Sequence, residues 1–359
     1  MSDKRIKVAV IGYGHIGKRH AKVIRDSDIF ELTAIVDNGQ RPDVDNLDSP
    51  VQLFSSLEAF LNADTAVQLV VIATPNGLHS HQIDLCLDRG LDIIVEKPMV
   101  LSHRALETHL SKAREKGVQL FPVVQNRYAK ISQWLKQVLH EGLLGKIYII
   151  QVNCLWNRDG RYYQKESWHG DLNLDGGSLY TQFLHFIDMI CWLFGQPSVK
   201  KAQLLDFNHQ ALSHFEDSGM IEFGFEAPAV KDSLTTMTFS TAAWGQNAES
   251  AMTILAEKGS VKIGGQYMEQ LLYAIGSDLP DGESLQKQLS TDPYKQKYGA
   301  AAGHYRFWEE LAKFYQGEAS ELPTVSEAGA VIKIIEQIYL ERNLDKHKDY
   351  TLKLPLTNP

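Results

Sequence analysis

Apolar residues follow two different rhythms along this chain. Over the first 125 positions they form short unbroken blocks: IKVAVIG (6–12), ELTAIVD (31–37), LVVIATP (69–75), LDIIVEKP (91–98) and VQLFPVV (118–124). Blocks of this length, rich in Val and Ile, suit strands buried on both faces of a parallel sheet. Helical segments separate them: KRHAKVIRDS after the first strand, HSHQIDLCLDRG ending at Gly90, and HRALETHLSKAREKG closed by Gly117. Such alternation predicts a doubly wound parallel sheet. From Lys146 onward the rhythm becomes long alternating runs, KIYIIQVNCLW, DSGMIEFGF, DSLTTMTFST and SAMTILAEKGSVKIGG. Turn signals lie between them and no helix of crossover length intervenes, which suits antiparallel hairpins. Helices are expected around His185, near 303–317 and near 325–342.

The first block flows into Gly12-Tyr13-Gly14-His15-Ile16-Gly17, a G-x-G-x-x-G turn opening the first helix. Glycines at these places permit a tight turn, close approach of backbone to a pyrophosphate, and close packing of helix on strand. The helix N-terminus then presents N–H groups and positive dipole to phosphate. The second strand ends at Asp37, about twenty residues past the last glycine, where an acid reaches ribose hydroxyls. An acid there repels a 2′-phosphate, so NAD is favoured over NADP, with Arg41 close enough to temper that preference. Ligands of such sheets bind at the carboxyl ends of strands. Thr74, Asn76, His79, Glu96, Lys97 and Gln125 stand at or just past those ends and are cofactor candidates.

Length fits two domains, since 359 residues exceed one ordinary core. They are taken as a dinucleotide-binding domain, 1–126, and a substrate-binding and oligomerisation domain, 127–359, whose C-terminal helix has the option of packing back on the first. A formal net charge of −8 attracts neither nucleic acid nor an anionic membrane. Cys86, Cys154 and Cys191 are odd in number and far apart, so they suggest reducing cytoplasm and no disulfide framework. The N-terminal stretch lacks signal-peptide character, and no apolar run is long enough to span a bilayer. No metal is expected, because no clustered ligands show in the sequence.

Four motifs in order, the glycine turn, TPNGLHSHQ, Glu96-Lys97-Pro98 and DGGSLYTQFLHFID (175–188), resemble the Gfo/Idh/MocA oxidoreductases, relatives of glucose–fructose oxidoreductase and inositol dehydrogenase. The resemblance implies an α/β protein: a Rossmann domain followed by an α/β domain with a large, open, mostly antiparallel sheet. It also implies that Lys97 and His185 are the catalytic pair beside the nicotinamide. Histidine suits proton transfer near neutrality, and a lysine beside the reacting oxygen orients it and stabilises negative charge. The family's aspartate four residues before this histidine is Thr181 here. On one helix those positions share a face, so a hydroxyl stands where a carboxylate would otherwise raise the basicity of His185. Non-acidic residues at this place also occur in relatives acting on nucleotide-linked sugars.

The stretch WNRDGRYYQKESWHGDLNLDGG (156–177) mixes Trp156, Tyr162, Tyr163 and Trp168 with Arg158, Arg161 and Lys165. Aromatic faces stack on a pyranose or uracil and arginines hold phosphate or carboxylate. An ordinary exposed loop with cations over its rings is an equally valid reading of the same residues. Arg158, Tyr162, Trp168, Thr181 and Arg127 are the substrate candidates, and by family position Trp168 also reaches the nicotinamide. His304 and Tyr305 open a late helix and are further cleft candidates. The expected function is NAD-dependent hydride transfer at a sugar ring hydroxyl, the sugar being nucleotide-linked, such as a UDP-N-acetylhexosaminuronate. Alternatives are a dehydrogenase of free sugars or inositols, a relative oxidising its sugar only transiently, and an impaired NAD sensor. A sensor has no need of both Lys97 and His185. Relatives suggest a homo-oligomer, a dimer or tetramer.

Overall fold

The computed structural model describes residues 5–39, 50–165, 167–280, 284–287, 291, 293–299 and 302–341. Arg41 lies outside the described residues. The chain divides into two compact units, Met1–Val124 with His304–Gly329, and Gln125–Gly303 with Ala330–Pro359. Among the described residues no helix is long and apolar enough to cross a membrane.

The first unit holds six parallel strands, β1 (Ile6–Ile11), β2 (Phe30–Val36), β3 (Gln52–Phe54), β4 (Leu69–Ile72), β5 (Asp92–Val95) and β6 (Leu120–Pro122), in the order β3-β2-β1-β4-β5-β6. Helices α1 (His15–Arg25), α2 (Leu57–Asn62), α3 (His79–Asp88) and α4 (His103–Lys116) connect them. Every residue of β4 is fully buried, and so are Val8, Ala9 and Val10 of β1. This is why those blocks read as unbroken apolar runs. Strand order reverses between β1 and β4, where two connections leave in opposite directions and open a crevice at the carboxyl ends. β3 and α2 escape the sequence pattern. β3 is three residues long and mostly exposed, and α2 has six residues started by a Ser56 hydroxyl that accepts from Ala59 N. Neither is long enough to display a period.

The second unit contains α5 (Lys130–His140), β7 (Ile147–Leu155), α6 (Ser178–Thr181), α7 (Leu184–Phe194), β8 (Ser198–Leu205), β9 (Ser218–Gly224), β10 (Leu234–Ser240), β11 (Glu249–Ala256), β12 (Gly259–Gly264), β13 (Gln270–Gly276) and α8 (Pro293–Tyr298). Its sheet runs β13-β12-β11-β7-β10-β9-β8, antiparallel throughout except where β7 pairs with β10 in parallel. The four alternating runs of the sequence are β7, β9, β10 and the β11–β12 hairpin. β8 was not singled out, and of its residues only Ala202 is fully buried. On the covered face, Phe239 of β10 meets Phe183 at 4.8 Å between ring centres, and Trp156 meets Phe183 and Phe186. α7 is therefore apolar almost all round, as a fully buried helix must be.

Two helices close the described chain, α9 (Ala302–Gln316) and α10 (Val325–Glu341). From His304 onward α9 belongs to the first unit. Trp308 packs edge-on against Phe30 at 4.8 Å, and the hydroxyls of Tyr305 and Tyr315 donate to Asp26 and Asp92. In the second unit the Tyr339 hydroxyl of α10 donates to Glu216 at 2.8 Å.

Candidate active site

The three glycines of the turn are there for different reasons. Gly12 has φ +86°, and a Cβ on it would lie 2.7 Å from the Ala73 carbonyl oxygen. A Cβ on Gly17 would lie 1.9 Å from the Gly12 carbonyl oxygen, so α1 can approach β1 only without one. Gly14 is unlike both: its φ of −69° suits any L-residue, and nothing lies within 4 Å of an added Cβ. The fold itself makes no demand for glycine there, whereas a phosphate approaching the backbone does. No side chain caps α1 and no acid lies in its first turn. The amides of His15, Ile16 and Gly17 in that turn thus face outward with the positive end of the dipole. Asp37 stands just past β2, its Oδ2 accepting from Tyr13 N at 2.6 Å and its Oδ1 from Gly39 N at 2.8 Å. Those anchors hold the carboxylate beside the turn with lone pairs left for a ribose diol. The residues present fit a dinucleotide.

Behind this cradle the strand ends are braced from inside. The Thr74 hydroxyl donates to Gln82 of α3 at 2.6 Å, and buried Asn76 starts a single 3₁₀ turn. His79 is wholly buried, its Nδ1 2.8 Å from the Pro98 carbonyl and its Nε2 2.9 Å from the Thr74 carbonyl. Burial pushes its imidazole below the usual value, so a neutral ring donates to one carbonyl at a time. Expected among the cofactor contacts, His79 instead ties two strand ends together.

Glu96 is a second such case. Its Oε1 receives His20 Nε2 at 2.9 Å and His304 Nε2 at 3.2 Å, and its Oε2 accepts from Lys97 N at 3.1 Å. Burial works to raise this carboxyl, but the two histidine hydrogen bonds more than offset it and hold it well below the usual range. Burial lowers His304 too, so that ring donates as neutral imidazole. One carboxylate thereby fixes α1, α9 and the backbone of Lys97. Nothing along the chain hints at this grouping beyond the place of His20 on the buried side of α1, with Gly17, Ala21 and Ile24.

Contrary to the expectation from sequence, histidines and a carboxylate do cluster here, with ligand-capable atoms of His20, Glu96 and His304 within 4.8 Å of one another. The Trp308 indole N–H donates to His20 Nδ1 at 2.9 Å. Indole nitrogen only donates, so His20 carries its proton on Nε2, the atom a metal would need. The arrangement is a hydrogen-bond relay, not a ligand set.

In the second unit, Gln125–Tyr128 forms one buried 3₁₀ turn that docks on α7. Gln125 Nε2 donates to His185 Nε2 at 3.2 Å, which leaves the ring proton on Nδ1. Two residues on, Arg127 Nε and Nη2 donate to both oxygens of Asp188 at 2.9 and 2.7 Å. Arg127, expected to hold an anion of the substrate, is 5% exposed and holds Asp188 instead. Between them Asn126 is 1% exposed, and neither of its side-chain polar atoms has a partner among the described residues. An orphaned amide of this kind marks a place where a ligand or water is expected.

His185 is 7% exposed in the first turn of α7, and the helix is interrupted between Thr181 and it. The predicted single helix is broken: α6 ends at Thr181, and Phe183 N reaches back five residues to Ser178 O at 3.1 Å. Side chains claim the break. The Thr181 hydroxyl lies against the Asp175 carboxylate and 3.0 Å from the Asp175 carbonyl, while Gln182 binds Arg158 and Tyr162. A carboxylate thus lies against position 181, that of Asp175, which is 1% exposed. Only the fold could show this.

The aromatic loop is a continuous chain of tilted and edge-on ring contacts. Trp168 and His169 lie 4.0 Å apart, His169 and Tyr162 4.1 Å, and the Arg158 guanidinium stands 5.2 Å from Tyr162 and 4.9 Å from Trp156. Arg161 is spent on Asp159 at 2.7 Å and is exposed.

Comparison with known proteins agrees with these features. A family model described as an oxidoreductase family with an NAD-binding Rossmann fold matches residues 6–123, and the model of the GFO/IDH/MocA C-terminal domain matches residues 132–262. The chain is 29% identical over 235 residues to scyllo-inositol 2-dehydrogenase (NADP(+)) of Bacillus subtilis, covering 62% of this chain and 64% of that one. It therefore spans a little under two thirds of that relative's length. Its fold matches the WlbA dehydrogenase of Bordetella pertussis, solved with NADH and UDP-GlcNAcA, with TM-score 0.85 and 25% identity, covering 95% of this chain and 96% of that one. The WlbA of Chromobacterium violaceum, solved with the same two ligands, matches with TM-score 0.83 and 26% identity over 95% and 94%. The chain belongs to the Gfo/Idh/MocA oxidoreductase family, with an NAD-binding Rossmann fold in its first unit.

Proposed function

We propose that this protein is an NAD-dependent dehydrogenase of a nucleotide-linked sugar, oxidising one ring hydroxyl. The observation that carries the reading is His185, buried, with Nε2 as an acceptor toward Gln125; a substrate hydroxyl that takes over that contact meets the lone pair a base needs to take its proton. When bound, NAD supplies the hydride acceptor, seated by the amides of His15, Ile16 and Gly17 and by the Asp37 carboxylate. Lys97 orients the substrate oxygen and stabilises the charge left as its proton departs. Asp175, through Thr181, supplies negative charge where the family aspartate would stand. Arg158, Tyr162 and Trp168 belong to the substrate side. Similarity to two WlbA dehydrogenases, each solved with UDP-GlcNAcA, supports a UDP-N-acetylhexosaminuronate as the sugar.

A second reading, a free inositol or sugar as substrate, is favoured by the inositol dehydrogenase relative. The test is NADH formation on UDP-hexosaminuronates, UDP-hexosamines, and free hexoses or inositols, with Lys97→Met in parallel. Turnover on a nucleotide-linked sugar that the variant loses supports the proposal. Turnover on free inositols alone supports the second reading. Silence on all groups with NAD binding intact removes both.

A further inference from the structure

Arg158 is a half-buried cation that meets no counter-charge among the described residues. Its Nε donates to Gln182 Oε1 at 2.8 Å, and its Nη1 to the Asn157 carbonyl at 2.6 Å and to Asn247 Oδ1 at 3.1 Å. All three acceptors are neutral, and Nη2 donates to nothing among the described residues. The adjacent acid, Asp159, is committed to Arg161 through four hydrogen bonds. Burial alone pushes the Arg158 guanidinium below its usual value, and the groups opposing that push are tyrosines. A charge withdrawn from water with only neutral partners is costly, and an anion delivered by a ligand removes that cost.

The cation is also rigidly held. It lies on the rings of Trp156 and Tyr162. Gln182 closes a ring of hydrogen bonds by accepting from Arg158 and donating to the Tyr162 hydroxyl at 2.6 Å. Gln182 occupies the break between α6 and α7, directly after Thr181 and three residues before His185. The free edge of Arg158 is therefore anchored to the segment that carries the proposed base. Arg127, by contrast, spends its fork on Asp188, so of these two arginines Arg158 alone has donors to offer.

We infer that the Nη2 edge of Arg158 is the receptor for an anionic group of the substrate, a hexuronate carboxylate or a sugar-nucleotide phosphate. The inference rests on the sugar-nucleotide reading but is tested by binding, so the two fail separately. Four ligands form the test: UDP-glucuronic acid, UDP-glucose, glucuronic acid and glucose. Each is titrated into NADH-loaded protein by calorimetry, with wild type, Arg158→Gln and Arg158→Lys compared. A carboxylate on Arg158 predicts that Arg158→Gln weakens UDP-glucuronic acid and glucuronic acid by roughly 10- to 100-fold and spares UDP-glucose. A phosphate on Arg158 predicts the same loss for both UDP-sugars and none for glucuronic acid. Arg158→Lys keeps the charge and the stem packing on Trp156, and should recover part of the affinity in either case. The inference is overturned if both variants bind every ligand within twofold of wild type, or if wild type binds neither UDP-sugar nor glucuronic acid. Should Arg158→Gln fail to fold, the Lys variant decides alone, since an ammonium without the Gln182 and Asn157 hydrogen bonds that aim Nη2 still holds the anion more weakly and leaves glucose unchanged. Loss of affinity without any turnover keeps the receptor and discards the reaction; turnover unaffected by either variant does the reverse.

Discussion

Gly14→Ala separates what the glycine turn needs for folding from what it needs for a ligand. At φ −69° and ψ −163° alanine fits the backbone of Gly14, and the new methyl meets nothing within 4 Å. Replacing glycine at such a position restricts the unfolded chain and should stabilise by about 0.4–1 kcal/mol. In a chain of this size that moves the melting midpoint up by roughly 0.5–1.5 °C. The same methyl projects where the pyrophosphate must meet the first-turn amides. Losing one charge-assisted hydrogen bond of about 1.5–3 kcal/mol weakens NAD by roughly 10- to 100-fold. Gly17→Ala has the opposite profile, because 1.9 Å from a backbone carbonyl cannot be relieved by moving a side chain. It should destabilise by about 2 kcal/mol or more, as overpacking does. Scanning calorimetry without ligand and calorimetric titration of NAD on both variants measure all four quantities. If Gly14→Ala bound NAD as wild type does, or melted lower than wild type, the assignment of Gly14 to the ligand would be wrong.

The buried Arg127–Asp188 pair gives a stability test: Asp188→Asn strands a guanidinium that is 5% exposed, and should cost about 3–5 kcal/mol in urea unfolding. Lys97→Met and His185→Asn should each lower kcat by about 10²–10⁴-fold while NAD binding stays near wild type; a variant with normal kcat would remove that residue from the chemistry. Acid stability tests the Glu96 relay. His304 and Glu96 both have depressed pKa values in the folded state. Each therefore contributes stability that is present above its unfolded pKa and lost as pH falls through the folded value. Loss should begin below about pH 6.5 through His304 and steepen below about pH 4.3 through Glu96. Glu96→Gln should make the steeper limb shallower in denaturation curves, and an unchanged limb would disprove the relay. Burial pushes the Cys86 and Cys191 thiols up to about 12, so a thiol reagent at pH 8 should leave both unreacted until denaturant is added.

The parallel sheet was legible because its strands are buried on both faces, so that composition alone marks them. Asp37 and the glycines were equally legible, their spacing being set by covalent geometry within one βαβ unit. α5, β8 and β13 were not singled out, and β3 and α2 are too short to carry a period. The break at Gln182–Phe183 was invisible for a different reason. It arises from side-chain bonds to Arg158, Tyr162 and Asp175, whose partners are set by the fold of the loop before it.

The amino-acid sequence by itself determined the two sheet types, the nucleotide turn with Asp37, and the candidates Lys97 and His185. These depend on local periodicity and on motifs whose members are neighbours in the chain. Only the tertiary structure decided the company those residues keep. Glu96 with His20 and His304 joins positions up to 284 residues apart, Arg127 meets Asp188 across 61, and the Asp175 carboxylate lies against Thr181. Partners of buried polar groups are chosen when the chain closes on itself, because each donor and acceptor taken from water must find another within reach. No pattern along the chain records that choice.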